Sequence, residues 1–216
     1  MGLSLGAAEA RSILDADYRG PIVRGDLNAI GPQQQVVIID GILDADQRLG
    51  IQEVLEALDR GVSIYGASSL GALLAVQLEH TEIKGRGQVF ETLRALKQHS
   101  EHLSLQELIM TLYTSERFEQ LTVPLIEPIA YCRKLGFSMK RLRKIARAFC
   151  EIPLDVRSWN NIKVVAENEG LILPDTPLLM NSKHHDACEL LKSLKILRDP
   201  IFRKEQRGLP TTHDYG

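Results

Sequence analysis

The chain has 216 residues, 44% of them hydrophobic, 25% charged and 5% aromatic, enough for an aliphatic core in one α/β domain with or without a helical extension. A formal net charge of −2 gives no global pull toward nucleic acid or an anionic membrane surface. No apolar run reaches the roughly 20 residues that span a bilayer, and the amino end lacks the basic and apolar regions of a secretory signal, so the expected compartment is the cytoplasm.

Residues 7–17 carry a helical pattern that ends before Gly20 and Pro21. Ahead of them, Gly2-Leu3-Ser4-Leu5-Gly6 reads as a strand-to-helix turn without its preceding strand, which leaves a sheet edge open or completed by a second copy of the chain. Arg24, Gly25 and Asp26 fall in the loop beyond the helix. Residues 36–39 form the continuous aliphatic run of a parallel strand covered on both faces, and Asp40-Gly41 ends it. Residues 46–60 spell a helix with Leu49, Val54, Leu55 and Leu58 facing inward, Gly61 stands at its C-cap, and residues 62–65 are the next strand. A right-handed crossover in this βαβ unit brings Asp40-Gly41 and the turn from Gly66 to Ser69 to the carboxyl edge of the sheet, where open α/β sheets bind ligands.

Gly66 opens a tight turn into a helix over residues 70–78, and Ser68 and Ser69 fall where free N–H groups and the helix dipole converge. Two readings stand side by side. The serines are ordinary caps, with Gly71 and Ala72 as small residues that let helix and sheet approach, or the turn presents a hydroxyl and binds an oxyanion. The spacing misses the G-x-S-x-G nucleophile pattern by one position, because Gly66 lies three residues before Ser69.

Further helices are predicted at 88–98, 104–119, 124–135, 138–150, 158–169 and 183–197, with no strand beyond residue 88. The predicted fold is therefore α/β: a small, mostly parallel sheet built on a Rossmann-like βαβ core over 1–90, a helical region over 91–202, and a loosely held tail over 203–216. Seven cations fall within residues 133–147, but Leu142, Ile145, Ala146 and Phe149 keep helical spacing among them, so the segment reads first as the solvated face of a packed helix. An acidic protein is the partner it would otherwise suit, and no nucleic-acid motif accompanies it. Lys183-His184-His185-Asp186 reads as a solvated helix cap. Cys132, Cys150 and Cys188 are widely spaced, without a C-x-x-C pair, and read as reduced structural thiols; no metal and no cofactor are expected.

In their order and spacing, Arg24-Gly25-Asp26, Ile39-Asp40-Gly41 and the run Gly61-Val62-Ser63-Ile64-Tyr65-Gly66-Ala67-Ser68-Ser69-Leu70-Gly71-Ala72-Leu73 resemble the TfuA-like core domain, over about residues 2–90. The resemblance implies a partner of YcaO enzymes in peptide-backbone thioamidation, one that releases sulfur from a thiocarboxylated, ubiquitin-like sulfur carrier. Arg24, Asp26, Asp40, Gly41, Ser69 and Gly71 match the family pattern, and Ser68 takes the more variable slot beside them. On this reading Ser69, Asp40, Arg24 and Asp26 are catalytic, and Gly41, Gly66, Ser68 and Gly71 bind substrate or anion. The structural alternatives are an Arg24–Asp26 ion pair and a turn role for Asp40.

The chain departs from the family pattern at Ile51-Gln52-Glu53-Val54, where the expected histidine is replaced and only Glu53 remains, and at Leu74, where an arginine is expected. His80 is eleven residues beyond Ser69 on the same helix, roughly 16 Å away at about 1.5 Å per residue, and reads as a surface residue. Without a histidine, a serine or water lacks an obvious general base. Three functions follow: hydrolysis of the carrier thiocarboxylate, non-catalytic recruitment or activation of a YcaO partner, and a general serine hydrolase.

Overall fold

The structure is a computed structural model that describes residues 2–99, 103–114, 119–177 and 180–198. Three short parallel strands form its sheet: β1 (Gln35–Ile38), β2 (Ser63–Gly66) and β3 (Lys84–Gly85), in the order β1-β2-β3. Val36 pairs with Ile64 and Tyr65 with Lys84. On the free side of β1 there is only an isolated parallel bridge between Ile22 and Gly41 among the described residues.

Both faces of the sheet are covered, as the continuous aliphatic strands require. Val37, Ile39, Tyr65 and Ala67 lie against α1 (Ala7–Ile13) and α9 (Ser182–Arg198), where Leu5, Ala10, Leu14, Leu190 and Leu191 complete a small core. Ile38 and Ile64 point the other way, into a larger core with α2 (Ile51–Asp59), α3 (Leu70–Gln77) and α4 (Gln88–His99). That core continues into α5 (Leu105–Ile109), α6 (Ile126–Lys134), α7 (Met139–Cys150) and α8 (Trp159–Asn168). The fold is thus mixed α/β with a mostly helical carboxyl-terminal half.

Three local differences from the sequence expectations have visible causes. The helix expected from 46 begins at Ile51, because the Asp44 side chain captures the Asp46 N–H at 3.1 Å in a turn and Gly50 precedes the first helical residue. β3 was not expected; its N–H and carbonyl groups meet the otherwise open side of β2. The helix expected over 104–119 ends at Ile109, where Thr122 Oγ1 accepts the Leu112 N–H at 2.8 Å and Tyr113 bridges Gln120. Residues 115–118 of that stretch, and the tail 203–216, lie outside the described residues. None of the described helices is long and apolar enough to cross a membrane.

Candidate functional site

The carboxyl ends of β1 and β2 lie side by side, and the polar residues singled out in the sequence gather around them. Asp40 leaves β1 and turns its carboxylate to the amino-terminal turn: Ser4 donates its N–H at 2.8 Å and its hydroxyl at 2.6 Å, one to each oxygen. Gly41 follows at a crowded point, where a Cβ would lie 2.1 Å from Leu70 Cδ2 and would force that side chain to move. Ile22 then donates its N–H to the Asp40 carbonyl at 3.1 Å, which brings the loop before Arg24 to the sheet edge.

That loop is held by Glu53. Gly25 has φ +94, where glycine is favoured, and its N–H faces both Glu53 carboxylate oxygens at 2.9 and 3.0 Å; the Leu27 N–H donates to the same carboxylate at 3.0 Å. Asp26 accepts the Val23 N–H at 2.8 Å, and Arg24 is exposed, with Nη2 donating to the Ala45 carbonyl at 3.2 Å. Asp26 and Asp40 both line a cleft of about 520 Å³ that runs along the free edge of β1, with Gly2, Tyr18, Ile22 and Val37. Arg24, Ser68 and Ser69 are not among its lining residues.

At the end of β2 the chain is forced into an unusual path. Ser68 has φ +70, a region L-residues rarely occupy, and its fully buried hydroxyl has no hydrogen-bond partner among the described residues. Ser69 is the N-cap of α3, 6% exposed, and its side chain makes no capping bond. The Ser69 and Gly71 N–H groups both donate to the Ile39 carbonyl at 3.3 Å, so these two donors of the helix start are already used inside the fold. Gly66 and Gly71 permit this contact: a Cβ on Gly66 would lie 2.1 Å from the Gly71 carbonyl oxygen, and one on Gly71 only 1.8 Å from that of Ile38. The Ile39 carbonyl therefore ties Ser69 to the residue next to Asp40.

The sequence did not mark Glu53, Glu127, Arg157 or Asp186 as positioning residues, although each organises a remote backbone. Glu127 accepts the Ser182 and Lys183 N–H groups at 2.8 and 3.0 Å at the start of α9. Asp186 accepts those of Gln88 and Val89 at 2.8 and 2.7 Å at the start of α4. Burial pushes both carboxyls above their ordinary pKa, against the pull of those same N–H groups. The Lys183–Asp186 segment is thus not a solvated cap throughout, since Lys183 is 4% and Asp186 1% exposed. Arg157 is fully buried and donates to the Ile152 and Glu107 carbonyls at 3.0 and 3.1 Å, besides pairing with the Glu107 carboxylate.

On α7, Leu142, Ile145, Ala146 and Phe149 are buried, and Lys140, Arg141, Lys144 and Arg147 are exposed, as the spacing predicted. Arg141 covers the Phe137 ring at 4.3 Å and Lys144 meets Glu169 at 2.7 Å. His80 is exposed as expected but lies in the turn after α3, which ends at Gln77, rather than on the helix itself. Burial lifts the Cys132 and Cys150 thiols to about 11, which keeps them protonated and poorly nucleophilic near neutrality.

An open parallel α/β sheet with Asp40 and Ser69 at adjacent strand ends defines a class of fold and not an activity. The TfuA-like protein family matches residues 40–149, just over half of the chain, and the chain belongs to this family. The match includes Asp40, Gly41 and the Ser68-Ser69 turn, and begins after the loop of Arg24 and Asp26. No curated protein matches the chain.

Proposed function

We propose that this protein releases sulfur from the carboxyl-terminal thiocarboxylate of a ubiquitin-like carrier for a YcaO enzyme that thioamidates a peptide backbone. Family membership supports an accessory role beside YcaO enzymes in thioamidation generally. The observation that carries the finer reading is the tether of Ser69 to the Ile39 carbonyl, which sets the strained Ser68-Ser69 turn beside Asp40.

In the proposed reaction the carrier tail enters the cleft that holds Asp26 and Asp40, with Arg24 at the loop taking an acidic residue or the thiocarboxylate charge. Water adds to the acyl carbon, the C–S bond breaks, and sulfur leaves as hydrosulfide with a proton passing to solvent, so the carrier regains an ordinary carboxylate. Asp40 orients the water, and Ser69, which lies outside the cleft lining in the structure, donates to the developing oxyanion once the bound tail draws the Ser68-Ser69 turn toward Asp40. Gly41, Gly66, Ser68 and Gly71 shape the turn that brings substrate and backbone together.

One observation favours a second reading, a binding partner that activates the YcaO enzyme without turnover. Among the described residues no hydrogen bond links the Ser68 or Ser69 side chain to a base. The two readings separate when Ser69→Ala and Asp40→Asn are assayed for sulfide release and for YcaO binding independently. Loss of release with binding intact supports hydrolysis, loss of binding supports recruitment, and loss of neither removes both residues from the site.

A further inference from the structure

Away from the strand ends, three side chains of chemically distinct types converge where α1 meets α9. Glu9 stands on α1, and His184 and Cys188 are one helical turn apart on α9, which puts them on the same face. His184 Nε2 lies 3.0 and 3.1 Å from the two Glu9 carboxylate oxygens and 3.8 Å from Cys188 Sγ; Sγ lies 3.9 Å from Glu9 Oε1. The side chains of His184 and Glu9 are 41% and 50% exposed, whereas Cys188 is 7% exposed and packs into the small core over Ile39 and Ala67.

Two uses of such a triad make opposite geometric demands. A Cys–His–acid relay needs the thiol on one ring nitrogen and the carboxylate on the other, so that a proton lost by sulfur is balanced across the imidazole. Here the thiol and the carboxylate approach the same nitrogen, Nε2, so no relay runs through the ring. A shared metal ion requires this convergence. Zinc binds Cys sulfur at about 2.3 Å, His nitrogen at about 2.0–2.1 Å and carboxylate oxygen at about 2.0–2.2 Å, and at tetrahedral angles those lengths set the ligand atoms about 3.4–3.6 Å apart. The separations of 3.0, 3.8 and 3.9 Å bracket that range.

We propose that Glu9, His184 and Cys188 form a zinc site that clasps α1 to α9. One sulfur, one imidazole and one carboxylate suit zinc better than the oxygen-seeking magnesium or calcium. Three protein ligands leave a fourth tetrahedral position, which faces solvent on the side of the half-exposed Glu9 and His184 and takes water. The thiol proton is released to solvent as the ion binds. His185 is not a ligand: its Nδ1 turns to Asp186 at 3.8 Å, and that carboxylate is engaged by the start of α4. The site is independent of the thiocarboxylate chemistry proposed above.

The test uses the full chain stripped with a chelator, then titrated with Zn²⁺ against a chromophoric competitor and, separately, loaded with Co²⁺. The wild type is expected to take one Zn²⁺ per chain and to give a near-ultraviolet thiolate-to-cobalt charge-transfer band. Cys188→Ser abolishes that band and weakens zinc binding at least about a hundredfold, and Cys150→Ser leaves both unchanged. Glu9→Gln, at a half-exposed side chain that threatens the fold least, keeps the band but weakens zinc at least about tenfold. Absence of stoichiometric zinc and of the cobalt band in the wild type, or a Cys188→Ser protein that binds as tightly as wild type, overturns the proposal.

Discussion

Ser4 closes on Asp40 with two donors at once, its N–H on one carboxylate oxygen at 2.8 Å and its hydroxyl on the other at 2.6 Å. The amino-terminal turn is therefore part of the strand-end architecture. Removing the carboxylate in Asp40→Ala leaves both donors unpaired and is expected to cost about 1–3 kcal/mol in urea unfolding, whereas Ser4→Ala, which keeps the backbone bond, costs about 1 kcal/mol. An Asp40→Ala midpoint equal to wild type would contradict this account of the turn.

Glu53 is the second anchor. Its carboxylate serves the Gly25 and Leu27 N–H groups, alongside the Arg24 N–H, which donates to the Gln47 carbonyl at 2.8 Å. In Glu53→Ala the Gly25 and Leu27 amides should exchange hydrogen at least about tenfold faster, with a stability loss of about 1–3 kcal/mol. Unchanged exchange at both amides would show that the loop is held by other contacts.

Gly71→Ala tests the close approach of α3 to β1. The added Cβ would stand 1.8 Å from the Ile38 carbonyl oxygen, a backbone atom that cannot swing aside, so the helix start must lift. We expect a loss of at least about 2 kcal/mol by denaturant unfolding. Gly136→Ala, where no atom lies within 4 Å but φ is +82, isolates the smaller cost of the backbone conformation alone.

Asp186 makes a pH-dependent prediction. Its folded pKa is raised by burial above the ordinary carboxylate value, so between the two values the folded state holds a proton that the unfolded state has lost. Its contribution is therefore fully present below the unfolded value of about 4 and declines as pH rises through the folded one. The stability advantage of wild type over Asp186→Asn should shrink as pH rises from about 4 toward neutrality, measured by urea midpoints at each pH. An advantage that grows over this range reverses the sign and refutes the assignment.

Much of this arrangement was legible in local sequence. The aliphatic runs placed β1 and β2 within a residue, and the 3.6-residue spacing found α7 with its buried face and the extent of α8 to within a residue at each end. β3 escaped because Glu82-Ile83-Lys84-Gly85-Arg86-Gly87 has neither alternation nor an apolar run; it is a strand only because β2 offers an edge. The acidic anchors escaped for another reason. Asp186 and Val89 are 97 positions apart and Glu127 and Ser182 55 apart, so no periodicity relates a carboxylate to the helix start that it serves. At the candidate site the motifs marked Asp40 and Ser69, but not that the Ile39 carbonyl consumes the Ser69 and Gly71 N–H groups, which depends on how closely two glycines let α3 settle.

The most direct measurement is sulfide release from a purified thiocarboxylated carrier by the wild-type chain alone, with Ser69→Ala as the paired control. The account predicts sulfide in proportion to carrier consumed and a rate at least about tenfold lower in the variant. A folded wild-type protein that binds the carrier yet releases no sulfide, or a variant as fast as wild type, would contradict it.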